Sequence, residues 1–223
     1  MLKAIVTAGP TYEPLDEVRR LTNHSTGRLG IGLANYLTSR DVSVTLLKGY
    51  YSTHLGPCEA SETIPFTTTD SLDQLFEKFS SEPYDAIFHA AAVSDFQFGK
   101  ISSPDSPAAQ ERQSSGKWST RSGTLLAELI PTIKILPSLR TRFRDALLVG
   151  WKYEVEGDQA SVIAKGKQQL TDCNSDLSVV NGPAYGNGFG IVSPSLPLQH
   201  VLSHDTLYQR LYESVASRQT GSA

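Results

Sequence analysis

The residues best suited to binding chemistry form one glycine-spaced segment near the N-terminus, Ser25-Thr26-Gly27-Arg28-Leu29-Gly30. Its first two residues are types that commonly cap helices, and apolar residues of helical period follow them. Its glycines allow a ligand or a neighbouring strand to approach the backbone closely. A helix N-terminus with free N–H groups and an arginine in its first turn attracts anions. The segment therefore predicts an anion site, with a capped helix packed tightly on a sheet as the alternative.

A long loop precedes this segment, and its length indicates function. The apolar residues 4–6 predict a buried first strand that ends near Ala8, and residues 9–26 connect this strand to the helix. Loops of this length within compact α/β units usually carry function, so we expect the active site here. A dinucleotide-binding fold would place G-x-G-x-x-G directly after the first strand, whereas only Gly9 stands there. The spacing thus disfavours a nicotinamide cofactor.

Small or polar residues end several of the predicted strands. They are Gly9 with Thr11, residues 91–95, Gly150 with Trp151, and Asn181. Because open α/β sheets bind ligands at the carboxyl ends of their strands, we expect these residues to meet at one edge. Taken alone, Asp95 after a strand is more typical of a helix cap than of a ligand-binding residue, and Lys117 in its polar surroundings would by itself be solvated. The histidines share no metal-ligand spacing, and the sequence shows no Ser-His-Asp signature.

The elements that must position these residues alternate along the chain. Strand patterns occupy residues 42–47, 63–66, 85–93, 146–151 and 177–180, and helical patterns begin at Asp70 or Ser71, at Gln159 and at Leu207. This alternation predicts an α/β fold, a Rossmann-like parallel sheet flanked by helices. Pro65 indicates an edge position for its strand, and residues 191–192 and 198–202 are expected to form a hairpin.

Residues 96–129 interrupt the alternation. Residues 96–123 carry no sustained periodicity and are expected to form a loop or flap, whereas residues 125–129 are strand-like. A short helix over residues 133–143 is expected to be interrupted at Pro137. The apolar positions Leu125, Leu126 and Leu129 suit pairing of this extension across a two-fold axis, with an intramolecular edge strand as the alternative.

Composition and charge bound the class of protein. The chain has 223 residues, of which 39% are hydrophobic and 19% charged, which suits a single domain over residues 1–223. A net charge of −3 argues against nucleic acid as a partner. Since we recognise neither a membrane-spanning run nor a signal peptide, we expect a cytoplasmic protein. Cys58 and Cys173 lack metal-ligand spacing and are expected to be reduced thiols.

Several motifs together resemble phosphopantothenoylcysteine synthetase, a ligase family of coenzyme A biosynthesis. The family is found alone or as the C-terminal half of a bifunctional flavoprotein. The resemblance covers nearly the whole chain, and its most specific block lies before Ile31. The motifs are Thr7-Ala8-Gly9-Pro10-Thr11 with Glu13-Pro14, Val18-Arg19, Asn23-His24-Ser25-Thr26-Gly27-Arg28-Leu29-Gly30, Ala91-Ala92-Val93-Ser94-Asp95, Ser114-Ser115-Gly116-Lys117, Gly150-Trp151-Lys152-Tyr153-Glu154, and Asp176 with Val179-Val180-Asn181.

The resemblance implies a ligase that joins 4'-phosphopantothenate to L-cysteine. A nucleoside triphosphate, CTP or ATP with Mg²⁺, would convert the carboxylate to an acyl-nucleotidyl anhydride and release pyrophosphate. Cysteine would then displace the nucleoside monophosphate, and a separate decarboxylase would act on the product. The family also implies a homodimer, and a magnesium ion held mainly through the nucleotide phosphates rather than by a protein metal site.

The family's functional residues carry over by position. Asn23 would hydrogen-bond the acyl intermediate and assist attack by cysteine, Asp95 would orient the nucleotide or its Mg²⁺, and Lys117 would neutralise phosphate charge. The implied substrate-binding residues are Gly9, Ser25, Thr26, Gly27, Arg28, Gly30, Ala91 and Ala92, and the implied nucleotide-binding residues are Asp95, Lys117, Gly150, Trp151 and Asn181.

Departures from the family pattern leave alternatives open. Members that use CTP carry a lysine-rich run at the Lys117 position, so Lys100 is a rival candidate. Those members also have two lysines where Gln169 and Cys173 stand here. In contrast, the residues from Trp151 to Glu154 look more like ATP-using members, so the nucleotide stays open between CTP and ATP. An NAD(P)-binding oxidoreductase and a non-catalytic relative on the same fold are the alternative functions.

Overall fold

The computed structural model describes residues 1–104, 106–110, 116–119, 121 and 123–220. The strands are β1 (Lys3–Ala8), β2 (Tyr12–Pro14), β3 (Arg20–Thr22), β4 (Ser43–Gly49), β5 (Glu62–Phe66), β6 (Ala86–His89), β7 (Phe96–Ser103), β8 (Ser106–Gln110), β9 (Leu126–Pro131), β10 (Leu147–Tyr153), β11 (Leu177–Asn181), β12 (Phe189–Val192) and β13 (Gln199–Val201). The helices are α1 (Arg28–Thr38), α2 (Thr69–Phe79), α3 (Ile135–Arg142), α4 (Gln159–Cys173) and α5 (His204–Thr220).

Within these residues, one sheet of eight strands forms the centre, in the order β13-β12-β11-β10-β6-β1-β4-β5. The strands from β11 to β5 in that order are parallel. The predicted hairpin, β12 with β13, adds two antiparallel strands at the other edge. The Rossmann-like α/β class is therefore confirmed, as is the edge position of the strand that contains Pro65. The carboxyl ends of β1, β6, β10 and β11 are neighbours.

The central strands fill a core on each face of the sheet. On β1, Ala4 and Val6 pack with α1 and α5, whereas Ile5 packs with α2 and α3. Successive side chains of a strand point to opposite faces, so the same strands hold both helical layers. None of the helices in the described part of the chain is long and apolar enough to cross a membrane.

Helix α1 lies unusually close to β1 because of Gly30. A Cβ at this position would lie 2.7 Å from the carbonyl oxygen of Thr7 and 2.7 Å from the Cβ of Ala8. Since contacts this short do not occur between real Cβ atoms and a backbone, only glycine fits. Gly30 therefore has a packing role, and its effect is to bring the N-terminus of α1 against the carboxyl end of β1.

The prediction of a loop over residues 96–123 is wrong for the part that the structure describes. There β7 pairs with both β8 and β9 in a separate antiparallel sheet of three strands. All six residues of β9 are exposed, and β7 is mostly half-buried. Because β7 and β9 have no fully buried face, they lack the apolar alternation by which strands are recognised in a sequence. The strand-like pattern predicted at residues 125–129 corresponds to β9.

Two predictions about helix ends also need correction. Pro137 does not interrupt α3, because it lies in the first turn, where a missing N–H removes no intrahelical hydrogen bond. Helix α2 is capped by Thr68 rather than by Asp70 or Ser71, and the Thr68 hydroxyl accepts a hydrogen bond from the N–H of Ser71 at 3.1 Å. Both errors concern one turn of helix and leave the elements unchanged.

Candidate functional site

The backbones that follow β1 and β6 stay paired beyond the ends of the two strands. The N–H of Ala92 donates to the carbonyl of Gly9 at 3.0 Å, and the N–H of Thr11 donates to the carbonyl of Ala92 at 3.1 Å. Gly9 has a φ of +85°, a conformation that favours glycine. The structure thus brings together Gly9, Ala91 and Ala92, which the sequence placed at different strand ends.

Asn23 lies directly over this junction. The β2–β3 hairpin returns the chain to the sheet edge, and the Asn23 side-chain nitrogen donates to the carbonyls of Ala92 at 3.2 Å and Val93 at 3.1 Å. The amide is exposed but fixed in place by two acceptors. A side chain held in this way has a fixed orientation at the carboxyl edge of the sheet.

The N-terminus of α1 reaches the same edge, although its cap differs from the prediction. Neither Ser25 nor Thr26 is the N-cap; that residue is Gly27, with a φ of +79° and no side-chain cap. A Cβ on Gly27 would lie 2.1 Å from the Ser52 hydroxyl, which explains the glycine. The Thr26 hydroxyl instead accepts from the N–H of Arg28 at 3.2 Å. With no side chain on the N-cap, the helix end suits an anion from outside.

A buried pair supports the junction from below. The Thr7 hydroxyl accepts from the N–H of Ala91 at 2.9 Å and lies 3.1 Å from Nδ1 of His89. The hydroxyl proton is therefore available to His89, whose ring is buried against Phe76. Burial lowers the pKa of His89 to about 4, so the ring is neutral. His89 therefore belongs to the buried support of the junction.

Asp95 forms the outer rim of the junction and is paired with a residue that the sequence analysis missed. Its carboxylate lies 2.5 Å from Nζ of Lys134, which immediately precedes α3. The backbone is fixed here, because the N–H of Thr132 donates to the carbonyl of Asp95 at 3.0 Å. None of the motifs quoted above contains Lys134. The one available signal was its position at the start of the predicted helix that follows the flap.

Lys117 and Lys100 lie elsewhere. Lys117 is exposed beside the tip of the β2–β3 hairpin, where the carbonyl of Gly116 accepts from the N–H of Glu17 at 3.3 Å. Lys100 lies on β7, and its N–H donates to the carboxylate of Glu128 on β9 at 3.1 Å. Of these two lysines and Lys134, it is Lys134 that contacts Asp95. Ser114 and Ser115, which preceded Lys117 in the motif, lie outside the described residues.

A buried carboxylate holds the Lys117 segment against the hairpin. The side chain of Asp16 has no exposed surface and binds the guanidinium of Arg19. It also accepts from the N–H of Trp118 at 3.2 Å, and Arg19 donates to the carbonyl of Trp118 at 3.2 Å. The Arg19 guanidinium holds the pKa of Asp16 far below its usual range. The position of Lys117 therefore depends on an ionised carboxylate.

Gly150 does not lie at a strand end, as the sequence suggested, but in the middle of β10. A Cβ there would lie 2.7 Å from the side chain of Leu136 and 2.8 Å from that of Gln169. Gln169 donates to the carbonyl of Trp151 at 3.2 Å and accepts from the Ser178 hydroxyl at 2.7 Å. The position at which some family members have lysine is thus occupied by an amide that packs on the sheet.

The ends of β10 and β11 extend the edge beyond the junction. Asn181 ends β11 and lines a pocket of about 470 Å³ with Tyr153, Phe189 and His204.

Cys173 is the second position, after Gln169, that departs from the family pattern. It is buried at the end of α4, and burial raises the pKa of its thiol. Within the described residues, no three His, Cys, Asp or Glu side chains cluster so as to hold a metal ion.

Comparison of the sequence with known families yields a match over most of the chain. The DNA/pantothenate metabolism flavoprotein C-terminal domain matches residues 1–206. The chain belongs to this family. A relative is the coenzyme A biosynthesis bifunctional protein CoaBC of Thermococcus kodakarensis, which is 30% identical over 180 residues. The aligned part covers 80% of this chain but 41% of that protein, so the chain spans less than half of its curated relative.

Solved structures agree with this family membership. The DNA/pantothenate metabolism flavoprotein of Streptococcus pneumoniae superposes with a TM-score of 0.84 at 23% identity, covering 98% of this chain and all of the other. A Cab2 variant in complex with phosphopantothenate-cysteine superposes with a TM-score of 0.72 at 18% identity, covering 98% of this chain and 89% of that one. The fold is therefore shared, and the resemblance to phosphopantothenoylcysteine synthetase is confirmed at the level of the family.

The buried ring of His89 predicts a specific pH dependence of stability. Since its pKa falls from 6.5 unfolded to about 4 folded, the unfolded chain binds more protons between these values. Stability is fully present above pH 6.5 and is lost as pH falls toward 4, by up to roughly 3 kcal/mol. We expect His89→Gln to remove this part of the slope in urea unfolding at pH 7.0, 5.5 and 4.5. His24→Gln, a change at an exposed histidine, is the matched control, and an unchanged slope in His89→Gln would contradict the assignment.

The Asp16 contacts predict that Asp16→Asn releases the Lys117 segment. An amide cannot accept all of these hydrogen bonds and presents an N–H group to the guanidinium of Arg19. Hydrogen bonds to charged groups contribute about 1.5–3 kcal/mol each, so we expect trypsin to cleave after Lys117 and Arg121 at least about tenfold faster. Mass spectrometry of the digest measures this. Glu17→Gln changes an exposed neighbour and serves as control. Equal cleavage rates in the two variants would show that Asp16 does not hold the segment.

Proposed function

We propose that this domain joins phosphopantothenate to the amine of cysteine at the expense of a nucleoside triphosphate, CTP or ATP. The observation that carries the proposal is the junction where Asn23 lies over Ala92 beside the N-terminus of α1. Family membership supports it, since relatives are named for coenzyme A biosynthesis and a Cab2 structure contains phosphopantothenate-cysteine. The product would pass to a separate decarboxylase.

The chemistry needs a carboxylate to become a good electrophile. In the first step a carboxylate oxygen of phosphopantothenate bonds to the α-phosphorus of the nucleotide, and pyrophosphate leaves. In the second step the cysteine nitrogen bonds to the acyl carbon, the nucleoside monophosphate leaves, and the amine loses a proton. Both steps rely mainly on positioning and on stabilising developing negative charge. A rigid edge of backbone N–H groups and fixed amides suits these needs.

Each part of the edge takes one role in this proposal. The N-terminus of α1, with Ser25, Thr26, Gly27 and Arg28, binds the phosphate of phosphopantothenate. Asn23 exchanges one of its two carbonyl partners for the acyl or phosphoryl oxygen and donates an N–H to it, while Ala91 and Ala92 allow close approach to the backbone. Asp95, Trp151 and Asn181 line the nucleotide side of the edge.

A magnesium ion fits these residues as a partner of the nucleotide. Mg²⁺ commonly binds through one or two carboxylates plus substrate phosphates, and Asp95 offers a single exposed carboxylate at the rim. When bound, the ion would neutralise phosphate charge. Asp95 would hold it from the protein side, and the phosphates would supply the other ligands.

The test is pyrophosphate release by the whole chain with phosphopantothenate and cysteine, run separately with CTP and with ATP. We expect release with one or both nucleotides, dependent on phosphopantothenate, together with a cysteine amide product detected by mass spectrometry. Release with neither nucleotide would overturn the proposal. The comparison between CTP and ATP then assigns the nucleotide, which Gln169 and Trp151 leave open.

Asn23→Asp tests the role of the amide. A carboxylate cannot donate a hydrogen bond, and the carbonyls of Ala92 and Val93 would repel it, so the side chain loses both its fixed position and its donor. We expect the rate of amide formation to fall by about tenfold or more. The rate of anhydride formation, measured as pyrophosphate exchange without cysteine, should fall less. His24→Gln in the same loop is the matched control. Parent turnover in Asn23→Asp would remove Asn23 from the mechanism.

We also propose that the three-stranded sheet pairs with its copy in a homodimer. Its exposed apolar side chains include Phe96, Leu126, Leu129 and Ile130, with Leu126 exposed by 55% and Leu129 by 49%. These side chains all belong to one small sheet, and exposed apolar surface is typical of interaction sites. We expect light scattering at micromolar concentration to give a dimer for the parent, and a monomer for the double variant Leu126→Lys with Leu129→Lys. A strictly monomeric parent would contradict the dimer.

A further inference from the structure

The pair of Lys134 and Asp95 is unusual in its exposure and location. Nζ of Lys134 lies 2.5 Å from the Asp95 carboxylate, yet the two side chains are 63% and 71% exposed. Both residues lie at the carboxyl edge of the central sheet, Asp95 after β6 and Lys134 between β9 and α3. The pair therefore stands at the rim of the proposed site rather than in the core.

Exposed ion pairs of this kind contribute little to stability. Lys134 is in addition the N-cap residue of α3, and the positive end of a helix dipole is an unfavourable place for a cation. The ammonium and the helix N-terminus are both positive, and the ion pair supplies one anion, Asp95; the location therefore attracts a second anion. Because the existing pair is weak, transfer of the ammonium from Asp95 to an incoming phosphate has a low energetic cost.

The backbone beneath the pair is well fixed. Thr132 donates from its N–H to the carbonyl of Asp95 at 3.0 Å and from its hydroxyl to the carbonyl of Ser94 at 2.5 Å. Ser94 in turn donates its N–H to the hydroxyl of Thr11 at 2.8 Å. Thr132, two residues before Lys134, therefore joins this segment to the junction of β1 and β6.

The other candidate lysines lack this placement. Lys100 follows Asp95 by five residues along β7, which at about 3.4 Å per residue places its backbone roughly 17 Å away. Lys117 is held by the Asp16 contacts at the tip of the β2–β3 hairpin rather than at its base, where Asn23 lies. Neither arrangement directs an ammonium toward Asp95 from the same protomer.

We infer that Lys134 binds the triphosphate group of the nucleotide, exchanging its partner from Asp95 to a phosphate oxygen when the nucleotide enters. The inference rests on the proposed function, because it names the cation of that same site. If the ammonium contacts the phosphates, its removal should lower the affinity for the triphosphate. The affinity for a monophosphate of the same nucleoside should change much less.

The experiment measures equilibrium binding of CTP, CMP, ATP and AMP, with Mg²⁺, to the whole chain. We expect Lys134→Gln to weaken triphosphate binding by about ten- to a hundredfold and monophosphate binding by less than about threefold. Lys134→Arg keeps the charge and should stay within about threefold of the parent. The matched control is Lys3→Gln, which breaks the exposed pair with Glu82 at the opposite end of β1 and should bind as the parent does.

Two results would overturn the inference. One is triphosphate binding by Lys134→Gln within twofold of the parent, and the other is an equal loss for triphosphate and monophosphate. Pyrophosphate release by the parent separates this failure from that of the proposed function. A parent that turns over, with an unchanged nucleotide KM in Lys134→Gln, overturns the inference alone, whereas a parent that neither binds nor cleaves a triphosphate overturns both.

Discussion

The candidate site depends on one constraint, the pairing of the backbones after β1 and β6 beyond the point where both strands end. In most α/β units the chain diverges there into separate turns. Here Gly9 and Ala92 keep the ladder intact, and the Thr7 hydroxyl fixes the N–H of Ala91 from below. Because this backbone is held at both sides, the carbonyls of Ala92 and Val93 are available as acceptors for Asn23. The position of the amide follows from the sheet rather than from the loop that carries it.

Two buried carboxylates keep the rest of the loop in place. Glu13 accepts from the N–H of Thr69 at 3.0 Å and from its hydroxyl at 2.8 Å, which ties β2 to the N-terminus of α2. Asp16 ties the tip of the hairpin to the segment of Lys117. A buried carboxyl group is tolerated only when hydrogen-bond partners satisfy it, so each acid requires its partner segment to be present. The loop between β1 and α1 is therefore a folded part of the domain, joined to elements distant in sequence.

The sequence was sufficient for the parallel sheet and for the edge at which Gly9, Ala92 and Asn181 lie, because buried strands and their polar ends are local patterns. It was insufficient where pairing rather than burial defines an element. Strand β7 is recognisable only from its partners, and the cap of α1 is decided by the space beside Ser52 rather than by the residue types at positions 25 and 26. Lys134 was missed for a similar reason. Its importance comes from an ion pair with Asp95. The whole three-stranded sheet separates the two residues in the sequence, so no local pattern signals their contact.

Packing and binding are difficult to separate in this edge, and the glycines show why. Gly30 was expected to admit either a ligand or a neighbouring strand, and the resemblance implied a ligand at Gly150. The space beside each is filled by the protein, by β1 in one case and by Leu136 with Gln169 in the other. The close contact at Gly30 nevertheless serves the site, because it lowers α1 onto β1 until the helix N-terminus meets the edge that holds Gly9. A larger residue at that position would move the N–H groups of α1 away from Asn23 even if no ligand ever touched it. A glycine can therefore be required by the chemistry while contacting only the fold, and residue type alone does not distinguish the two roles.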